Sequence, residues 1–290
     1  MTAFLATLRP QQWIKNIFVA APLVFARDLT QPAYVIRSAL AVLAFCLVSG
    51  AVYTFNDVRD VEADRAHPTK KNRPIAAGQL SERAALIAAG LIAAISIGAC
   101  AVLSLPLAGI VAFYAAQNVA YSVKLKHVAF VDVALIASGF LLRVLAGAAA
   151  IPVAPSGWLL ICTALVALFF GFGKRAHELA WAMRSGQEAT TRASLAGYRY
   201  PVVRAAMYVL SVMTIGAYVA YTLSPHTIEF FHTDKLMWSA PFVVAGILRY
   251  LSLALWSPTV EPPTEAMLKD PWFLLDLVAA VGAVLYIIYG

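Results

Sequence analysis

The sequence predicts an all-α fold, a polytopic membrane bundle of about nine transmembrane helices. Of the 290 residues, 61% are hydrophobic and 13% are charged, and the mean hydropathy is +0.77. A soluble domain usually carries about 25% charged residues. Apolar stretches long enough to cross roughly 30 Å of hydrocarbon recur from one end of the chain to the other. We therefore expect one transmembrane domain over residues 1–290 and not a water-soluble fold.

The positions of the apolar stretches and the charges between them predict the topology. The nine expected spans are residues 13–26, 33–55, 84–103, 105–122, 130–151, 157–173, 201–224, 236–256 and 271–289. The connections after spans two, four and six are longer and basic, whereas those after spans three and five are short and uncharged. The positive-inside rule places the basic connections in the cytoplasm. The sequence thus predicts a multi-pass protein of the plasma (inner) membrane with a cytoplasmic N-terminus.

Charge and cysteine usage narrow the classes of partner. The formal net charge is +7, and the basic residues lie in short connections between spans. This pattern favours anionic substrates or the headgroups of the bilayer over nucleic acid. Cys46, Cys100 and Cys162 all fall in apolar stretches and predict neither a disulfide framework nor a metal site. Assembly into a homo-oligomer stays open.

The second span ends in an acidic cluster, Asn56-Asp57-x-x-Asp60-x-x-x-Asp64. On a continuing helix, spacings of three and four place these side chains on one face. Like charges on one face repel, and a hard divalent cation that shares carboxylate and diphosphate oxygens removes the repulsion. The cluster therefore predicts a Mg²⁺ site for a diphosphate substrate, with Asp57, Asp60 and Asp64 as the catalytic ligands and Asn56 beside them.

Basic residues next to this cluster have two interpretations each. A solvated helix end, in which the acids pair locally with Arg59 and Arg65, is the alternative to a metal site. Downstream, Lys71 and Arg73 could clamp phosphate oxygens, Arg73 in bidentate fashion. The alternative for Arg73, and for Lys70 beside it, is that the positive charge only sets the topology.

Charged residues inside predicted spans are expensive unless they are paired or face a polar cavity. Arg143, well inside span five, is either a phosphate ligand or the partner of an acid. Asp132, at the start of the same span, is either a metal or ribose ligand or an acid favoured by the helix dipole. Arg249 and Asp276, in the last two spans, are expected to pair with each other.

Four motifs together carry a resemblance to a known family. They are Arg9-Pro10-x-x-Trp13-x-Lys15-Asn16, the acidic cluster at 56–64, Arg73-Pro74-Ile75-x-x-Gly78, and Tyr121-Ser122-x-Lys124-Leu125-Lys126. In this combination the chain resembles the UbiA superfamily of intramembrane prenyltransferases over essentially its whole length. Within that superfamily it is most similar to the members that transfer phosphoribosyl from phosphoribosyl diphosphate to a polyprenyl (decaprenyl) phosphate lipid. Those members work in the synthesis of cell-wall arabinan precursors.

The resemblance implies a Mg²⁺-dependent phosphoribosyltransferase with its active site at the cytoplasmic mouth of the bundle. It also implies a set of substrate-binding residues that lie near that mouth. These are Lys15, Asn16, Asn56, Arg65, Lys71, Arg73, Tyr121, Ser122, Lys124, Lys126, Asp132, Arg143, Lys174 and Arg175.

One departure from the family pattern bears on the donor substrate. Aromatic prenyltransferases of this superfamily carry a second Asp-rich motif in the loop after span six. In this chain the corresponding sequence is Gly171-Phe-Gly-Lys-Arg-Ala-His-Glu178, with cations at Lys174 and Arg175. Two cations suit direct binding of anionic oxygens, which favours a sugar diphosphate over a prenyl diphosphate as donor.

The sequence is compatible with two other functions. One is the transfer of a polyprenyl group from its diphosphate to an aromatic acceptor. The other is a membrane transporter with an acidic ion site. Transporters often show internal repeats and charges at the midplane, whereas the polar clusters here gather at one predicted face.

Overall fold

The structure is a computed structural model that describes residues 2–67, 70–185, 193–257 and 261–290. In these ranges the chain forms helices and connecting turns, with no strand. The α-helices are α1 (Thr2–Thr7), α2 (Ala21–Phe25), α3 (Pro32–Arg59), α4 (Val61–Ala66), α5 (Glu82–Leu103), α6 (Leu105–Val123), α7 (Val131–Ala150), α8 (Gly157–Ser185), α9 (Tyr200–Leu223), α10 (Pro225–Phe231), α11 (Ala240–Trp256), α12 (Pro263–Ala266) and α13 (Pro271–Tyr289). Short 3₁₀ helices occupy Pro10–Val19, Lys70–Asn72, Leu125–His127, Ala193–Gly197, Lys235–Ser239 and Met267–Lys269.

The predicted multi-pass helical architecture is confirmed, but the count of nine spans is not. Among the described residues, seven helices are long and apolar enough to cross a membrane: α3, α5, α7, α8, α9, α13, and α11 together with the 3₁₀ turn before it. The first expected span, 13–26, is instead the 3₁₀ helix Pro10–Val19 followed by the five-residue α2. The fourth, α6, has 19 residues and carries the polar Gln117 and Asn118 in its second half.

Helix α8 is longer than the sequence predicted. Its span was expected to end at residue 173, yet the helix runs on to Ser185. Ala176, Leu179 and Ala180 are buried at helical spacing, so the core-facing stripe continues past the apolar run. The basic motif at 174–175 therefore lies on a helix and not in a loop after the span.

The contacts group the chain into two compact units. The first is Met1–Lys126 with Gly139–Pro155. In it α3 packs against α5, α6 and the 3₁₀ helix Pro10–Val19, around a core that includes Val19, Phe45 and Leu107. The second unit is His127–Ser138 with Ser156–Gly290. There α8, α9 and α11 pack together around Phe169, Met207 and Tyr250. That the chain is one domain over 1–290 stays a prediction.

Two features of the first unit fix its helices. Arg37, near the start of α3, donates from Nε to the carbonyl of Ala150 at 2.6 Å and from Nη2 to that of Leu103 at 2.7 Å. Those carbonyls belong to the last residues of α7 and α5, where a cation also complements the helix dipole. Gly147 of α7 lies against the backbone of Val19, since a Cβ built there would be 1.9 Å from the Val19 carbonyl oxygen.

Candidate functional site

The acidic cluster lies where α3 passes into α4. Helix α3 ends at Arg59, Asp60 has φ −100° and ψ 11°, and α4 begins at Val61. The expectation of one uninterrupted helix through the cluster is therefore wrong at Asp60. Asp57 and Asp64, on the two flanking helices, are buried, whereas the Asp60 side chain is 31% exposed.

Arg73 joins the two buried acids. Its Nη1 lies 3.1 Å from Oδ1 of Asp57 and 2.6 Å from Oδ2 of Asp64. Arg9 also donates to Oδ1 of Asp57, and its guanidinium lies 5.2 Å from the centre of the Tyr53 ring. Charge-assisted hydrogen bonds of this kind are about twice as strong as neutral ones. Arg9 belongs to a motif of the sequence but was not predicted as a site residue. Its partner is 48 positions away, and spacing does not reveal a contact at that distance.

Asp60 has separate partners. Lys126 Nζ lies 2.6 Å from its Oδ1, and Asn56 Nδ2 donates to its Oδ2 at 3.1 Å. Arg65 instead pairs with Glu62 at 2.7 Å and lies 3.6 Å from Glu82. The alternative in which Arg65 pairs with the cluster acids is thus wrong. Of the cations that do pair with them, Arg9 and Lys126 come from distant segments, 48 and 66 positions away.

The donor set at this place fits magnesium in its chemistry. Carboxylate oxygens are the protein ligands that Mg²⁺ takes, usually one or two of them together with substrate phosphates and water. Asp57, Asp60 and Asp64 are the side chains that would hold the ion. In the described part of the chain, no three His, Cys, Asp or Glu side chains converge into a metal-binding group.

The other predicted substrate ligands of the first unit differ in their exposure. Lys71 and Lys124 are exposed, Lys15 and Tyr121 are half-buried, and Ser122 is buried. Their roles as substrate ligands stay predictions.

Arg143 is buried and held by neutral groups. Its Nε donates to Oδ1 of Asn16 at 2.8 Å, Nη1 to the carbonyl of Gly139 at 2.8 Å, and Nη2 to the hydroxyl of Tyr114 at 2.9 Å. Its guanidinium also lies 4.8 Å from the centre of the Tyr114 ring. Among the described residues Arg143 forms no ion pair with an acid, so the alternative that it is the structural partner of an acid is wrong. Asn16, a second predicted ligand, is the residue that orients it.

The basic motif of the second unit contains a buried ion-pair network. Nε of Arg175 lies 3.0 Å from Oδ2 of Asp132, and both side chains are fully buried. Arg175 also donates from Nη1 to Glu178. Its Nη2 is buried and has no hydrogen-bond partner among the described residues. Lys174, one position earlier on α8, is half-buried.

Tyr198 completes this network, and sequence reasoning missed it. Its hydroxyl donates to Oδ1 of Asp132 at 2.5 Å and accepts from the backbone N–H of Phe130 at 2.7 Å. Phe130 has a left-handed backbone, with φ 66°. Burial, followed by the hydrogen bond to Asp132, raises the pKa of Tyr198, so the hydroxyl stays a donor at neutral pH. No spacing in the sequence links Tyr198 to a residue 66 positions away.

The predicted pairing of Arg249 with Asp276 is wrong. Arg249 pairs with Asp270, with Nη2 2.5 Å from Oδ2. Asp270 also accepts from the backbone N–H of Phe273 at 2.8 Å, so it caps the first turn of α13.

Comparison with known proteins places the chain among membrane transferases. A decaprenyl-phosphate phosphoribosyltransferase of Mycolicibacterium smegmatis is 35% identical over 300 residues, covering 100% of this chain and 93% of that one. The enzymes of the same name from Corynebacterium glutamicum and Mycobacterium tuberculosis are each 36% identical. They cover 97% and 95% of this chain, and 85% and 92% of their own.

Solved structures share the fold. A UbiA homolog from Archaeoglobus fulgidus bound to GPP and Mg²⁺ matches with a TM-score of 0.74 at 18% identity, over 99% of this chain and 100% of that chain. The same homolog bound to DMAPP and Mg²⁺ gives 0.73 at 18% identity, over 98% of both chains. The model of the UbiA prenyltransferase family matches residues 17–277. This chain belongs to the UbiA prenyltransferase family.

Proposed function

We propose that this chain transfers the 5-phosphoribosyl group of phosphoribosyl diphosphate to a polyprenyl phosphate such as decaprenyl phosphate, and releases diphosphate. The observation that carries the proposal is the identity of 35% to 36%, over nearly the full length, to enzymes that bear this activity in their names. The proposal includes a plasma-membrane location with the acidic cluster toward the cytoplasm, where a water-soluble donor and a lipid acceptor can both arrive.

The chemistry asks little of the protein beyond positioning and charge. The bond between ribose C1 and the diphosphate breaks, and a bond between C1 and an oxygen of the lipid phosphate forms. Positive charge develops on the ribose as the diphosphate departs with the bonding electrons. The attacking phosphate is already anionic at neutral pH, so no general base is required. Positioning two substrates and stabilising the departing charge are the contributions expected of the enzyme.

The residues of the acidic cluster suit the diphosphate end of the donor. Asp57, Asp60 and Asp64 would hold magnesium, which when bound supplies a Lewis acid for the leaving diphosphate. Arg73 and Lys126 lie within 3.1 Å and 2.6 Å of these acids and can donate to phosphate oxygens.

The position in the sequence where a second acidic motif would suit a prenyl diphosphate carries Lys174 and Arg175 instead. The buried Nη2 of Arg175 lacks a hydrogen-bond partner in the described ranges, and a buried donor without a partner is costly. An anionic oxygen of a sugar or lipid phosphate would satisfy it. This favours the phosphoribosyl donor over the aromatic prenyltransfer alternative, and the enzymes named above give no support to a transporter.

A donor assay tests the proposal. Purified full-length protein is given radiolabelled phosphoribosyl diphosphate, with or without polyprenyl phosphate and with or without Mg²⁺. We expect labelled lipid and free diphosphate only when both the acceptor and Mg²⁺ are present. The matched control is Asp60→Asn, which keeps the shape of the side chain but removes its charge and should abolish transfer.

A parallel arm offers a labelled prenyl diphosphate with an aromatic acceptor. Prenyl transfer in that arm, with no phosphoribosyl transfer in the first, would replace the proposed donor with the aromatic alternative.

A further inference from the structure

Helices α11 and α13 of the second unit form a groove with a volume of about 480 Å³. Most of the side chains that line it are apolar: Phe242, Ala245, Trp272, Leu275 and Ala279. The other two lining residues are charged, Arg249 of α11 and Asp276 of α13. Leu275 is 64% exposed on a helix that is long and apolar enough to cross a membrane. The groove therefore opens on the lipid-facing surface of these two helices.

Asp276 has neither a hydrogen bond nor an ion pair in the part of the chain that the structure describes. Arg249, the nearby cation that could neutralise it, pairs with Asp270 instead. The Asp276 carboxylate lies against α11 at Gly246, where a Cβ would be 3.1 Å from Oδ2. A charge in a membrane span is costly unless it is paired, and the residues around this groove supply no second cation.

Arg249 keeps N–H groups for a further ligand. Its Nε and Nη2 donate to the two carboxylate oxygens of Asp270, at 3.1 Å and 2.5 Å. A guanidinium carries five N–H donors, so the Nη1 donors are left over. The side chain is 38% exposed. The groove thus presents a donor for an anionic oxygen and an acceptor for a cation on adjacent helices.

The charged part of the groove lies near the end of α13. Asp270 caps the first turn of this helix, and Asp276 follows six positions later, about 9 Å along the axis. Trp272 lies between them and is 72% exposed, and exposed tryptophan rings prefer the level of the lipid headgroups. The head of a phospholipid and the first methylenes of its chains occupy this depth.

We propose that the groove binds a phospholipid whose head carries a primary ammonium beside its phosphate. The ammonium donates to the carboxylate of Asp276, the phosphate accepts from Arg249, and an acyl chain lies along Phe242 and Leu275. A quaternary ammonium has no N–H to donate, and a purely anionic head would be repelled by Asp276. Charge-assisted hydrogen bonds therefore favour the phosphoethanolamine head. The inference goes beyond the proposed transfer reaction, because it involves neither of its substrates.

Native mass spectrometry of the purified full-length protein in detergent tests the groove. The probes are phosphatidylethanolamine, phosphatidylcholine and phosphatidylglycerol with identical acyl chains, and a polyprenyl phosphate. We expect phosphatidylethanolamine to bind about tenfold more tightly than the other two phospholipids, the scale of one hydrogen bond between charged groups. Equal affinities for the three phospholipids would overturn the proposal.

Asp276→Asn should reduce the affinity for phosphatidylethanolamine to that for phosphatidylcholine, because it removes the charge and keeps the shape of the side chain. Gly246→Ala is the second variant if Asp276→Asn does not fold. It keeps the carboxylate but adds a Cβ 3.1 Å from Oδ2, so it should also weaken the preference. Glu229→Gln removes an exposed acid of α10 and is the matched control. A preference retained in both groove variants contradicts the assignment.

Other occupants of the groove predict different results. If a second copy of the chain covers it, Asp276→Asn will dissociate dimers and leave the lipid affinities unchanged. If it is part of an acceptor site, polyprenyl phosphate will displace phosphatidylethanolamine. Either result overturns the proposal. Failure of the donor assay does not affect it, because the measurement contains no transfer step.

Discussion

Arg175 and Asp132 form an ion pair with both side chains fully buried, Nε lying 3.0 Å from Oδ2. Removing one partner of such a pair leaves a buried charge without compensation, at a cost of about 3 to 5 kcal/mol. We therefore expect Arg175→Ala to lower the melting temperature in detergent sharply, with Asp132→Ala behaving similarly. A melting temperature unchanged in Arg175→Ala would mean that the pair does not stabilise the second unit.

Lys174, the neighbouring cation, is expected to behave differently. It is half-buried, so Lys174→Ala should fold normally and weaken the binding of an anionic substrate, seen as a raised KM in the donor assay. The contrast with Arg175→Ala separates the loss of a substrate contact from the loss of the buried ion pair with Asp132. Unchanged kinetics in Lys174→Ala would remove this residue from the site.

Tyr198 should be a stabilising partner of Asp132. Tyr198→Phe deletes the hydroxyl that donates to Asp132 at 2.5 Å and that accepts from Phe130 at 2.7 Å. Leaving buried groups unsatisfied costs about 1 to 3 kcal/mol, so the melting temperature should fall while the ring stays in place. Tyr208→Phe on the exposed face of α9 is the matched control and should melt like the parent protein.

The difference in melting temperature between the parent protein and Tyr198→Phe should depend on pH in a way set by the raised pKa of Tyr198. The ordinary value is 10.0, and burial together with the hydrogen bond to Asp132 raises it in the folded protein. A raised pKa means that the folded state holds the proton more firmly, so the stability it contributes is complete below about pH 10 and is lost as the pH rises further. The gap in melting temperature between the parent protein and Tyr198→Phe should therefore stay constant from about pH 7 to 9. A difference in melting temperature that disappears below pH 9 would contradict a raised pKa for Tyr198.

The acidic cluster should be indispensable to transfer. Asp57→Ala removes a carboxylate shared by two arginines, and Asp60→Ala removes the partner of Lys126. If these acids hold the metal, both variants should abolish phosphoribosyl transfer in the radiolabel assay. Near-normal turnover with either variant would contradict the assignment of the metal site to these acids.

The contact of Gly147 with Val19 should tolerate no side chain. A Cβ at Gly147 would lie 1.9 Å from the Val19 carbonyl oxygen, and overpacking of this kind costs about 1 to 3 kcal/mol or more. Gly147→Ala should therefore lower the melting temperature. In Gly98→Ala on α5, where a Cβ would meet nothing within 4 Å, no loss is expected; equal effects would mean that the close approach is unimportant.

The sequence was a good guide to helices and a poor one to their exact ends. Apolar length predicted α3, α5, α7, α9 and α13 to within a few residues, because a stretch that must cross hydrocarbon has to be apolar and helical. It failed for α8, whose last turns combine charges with a buried stripe at Ala176 and Leu179. It also failed for residues 13–26, where a 3₁₀ helix ends at Val19 and α2 begins at Ala21, with Pro22 in its first turn.

The candidate site, too, could be predicted only in part. The chemistry of Asp57, Asp60 and Asp64 could be predicted because their types and spacing are local. Their counter-ions could not, since Arg9 and Lys126 reach them across 48 and 66 positions. Such pairs depend on tertiary packing, which a single sequence does not reveal.

The two hydrogen bonds of Arg37 set how deep α3 can lie in a bilayer. Twenty positions separate Arg37 from Asp57 on this helix, which at about 1.5 Å each is about 30 Å, close to the thickness of the hydrocarbon. Sliding the helix either way would draw one of these charged groups into lipid. A thinner bilayer would therefore be met by tilting the helix, and a thicker one by thinning of the lipid around it. The fixed distance between these two charged groups holds the acidic cluster close to the boundary between hydrocarbon and water.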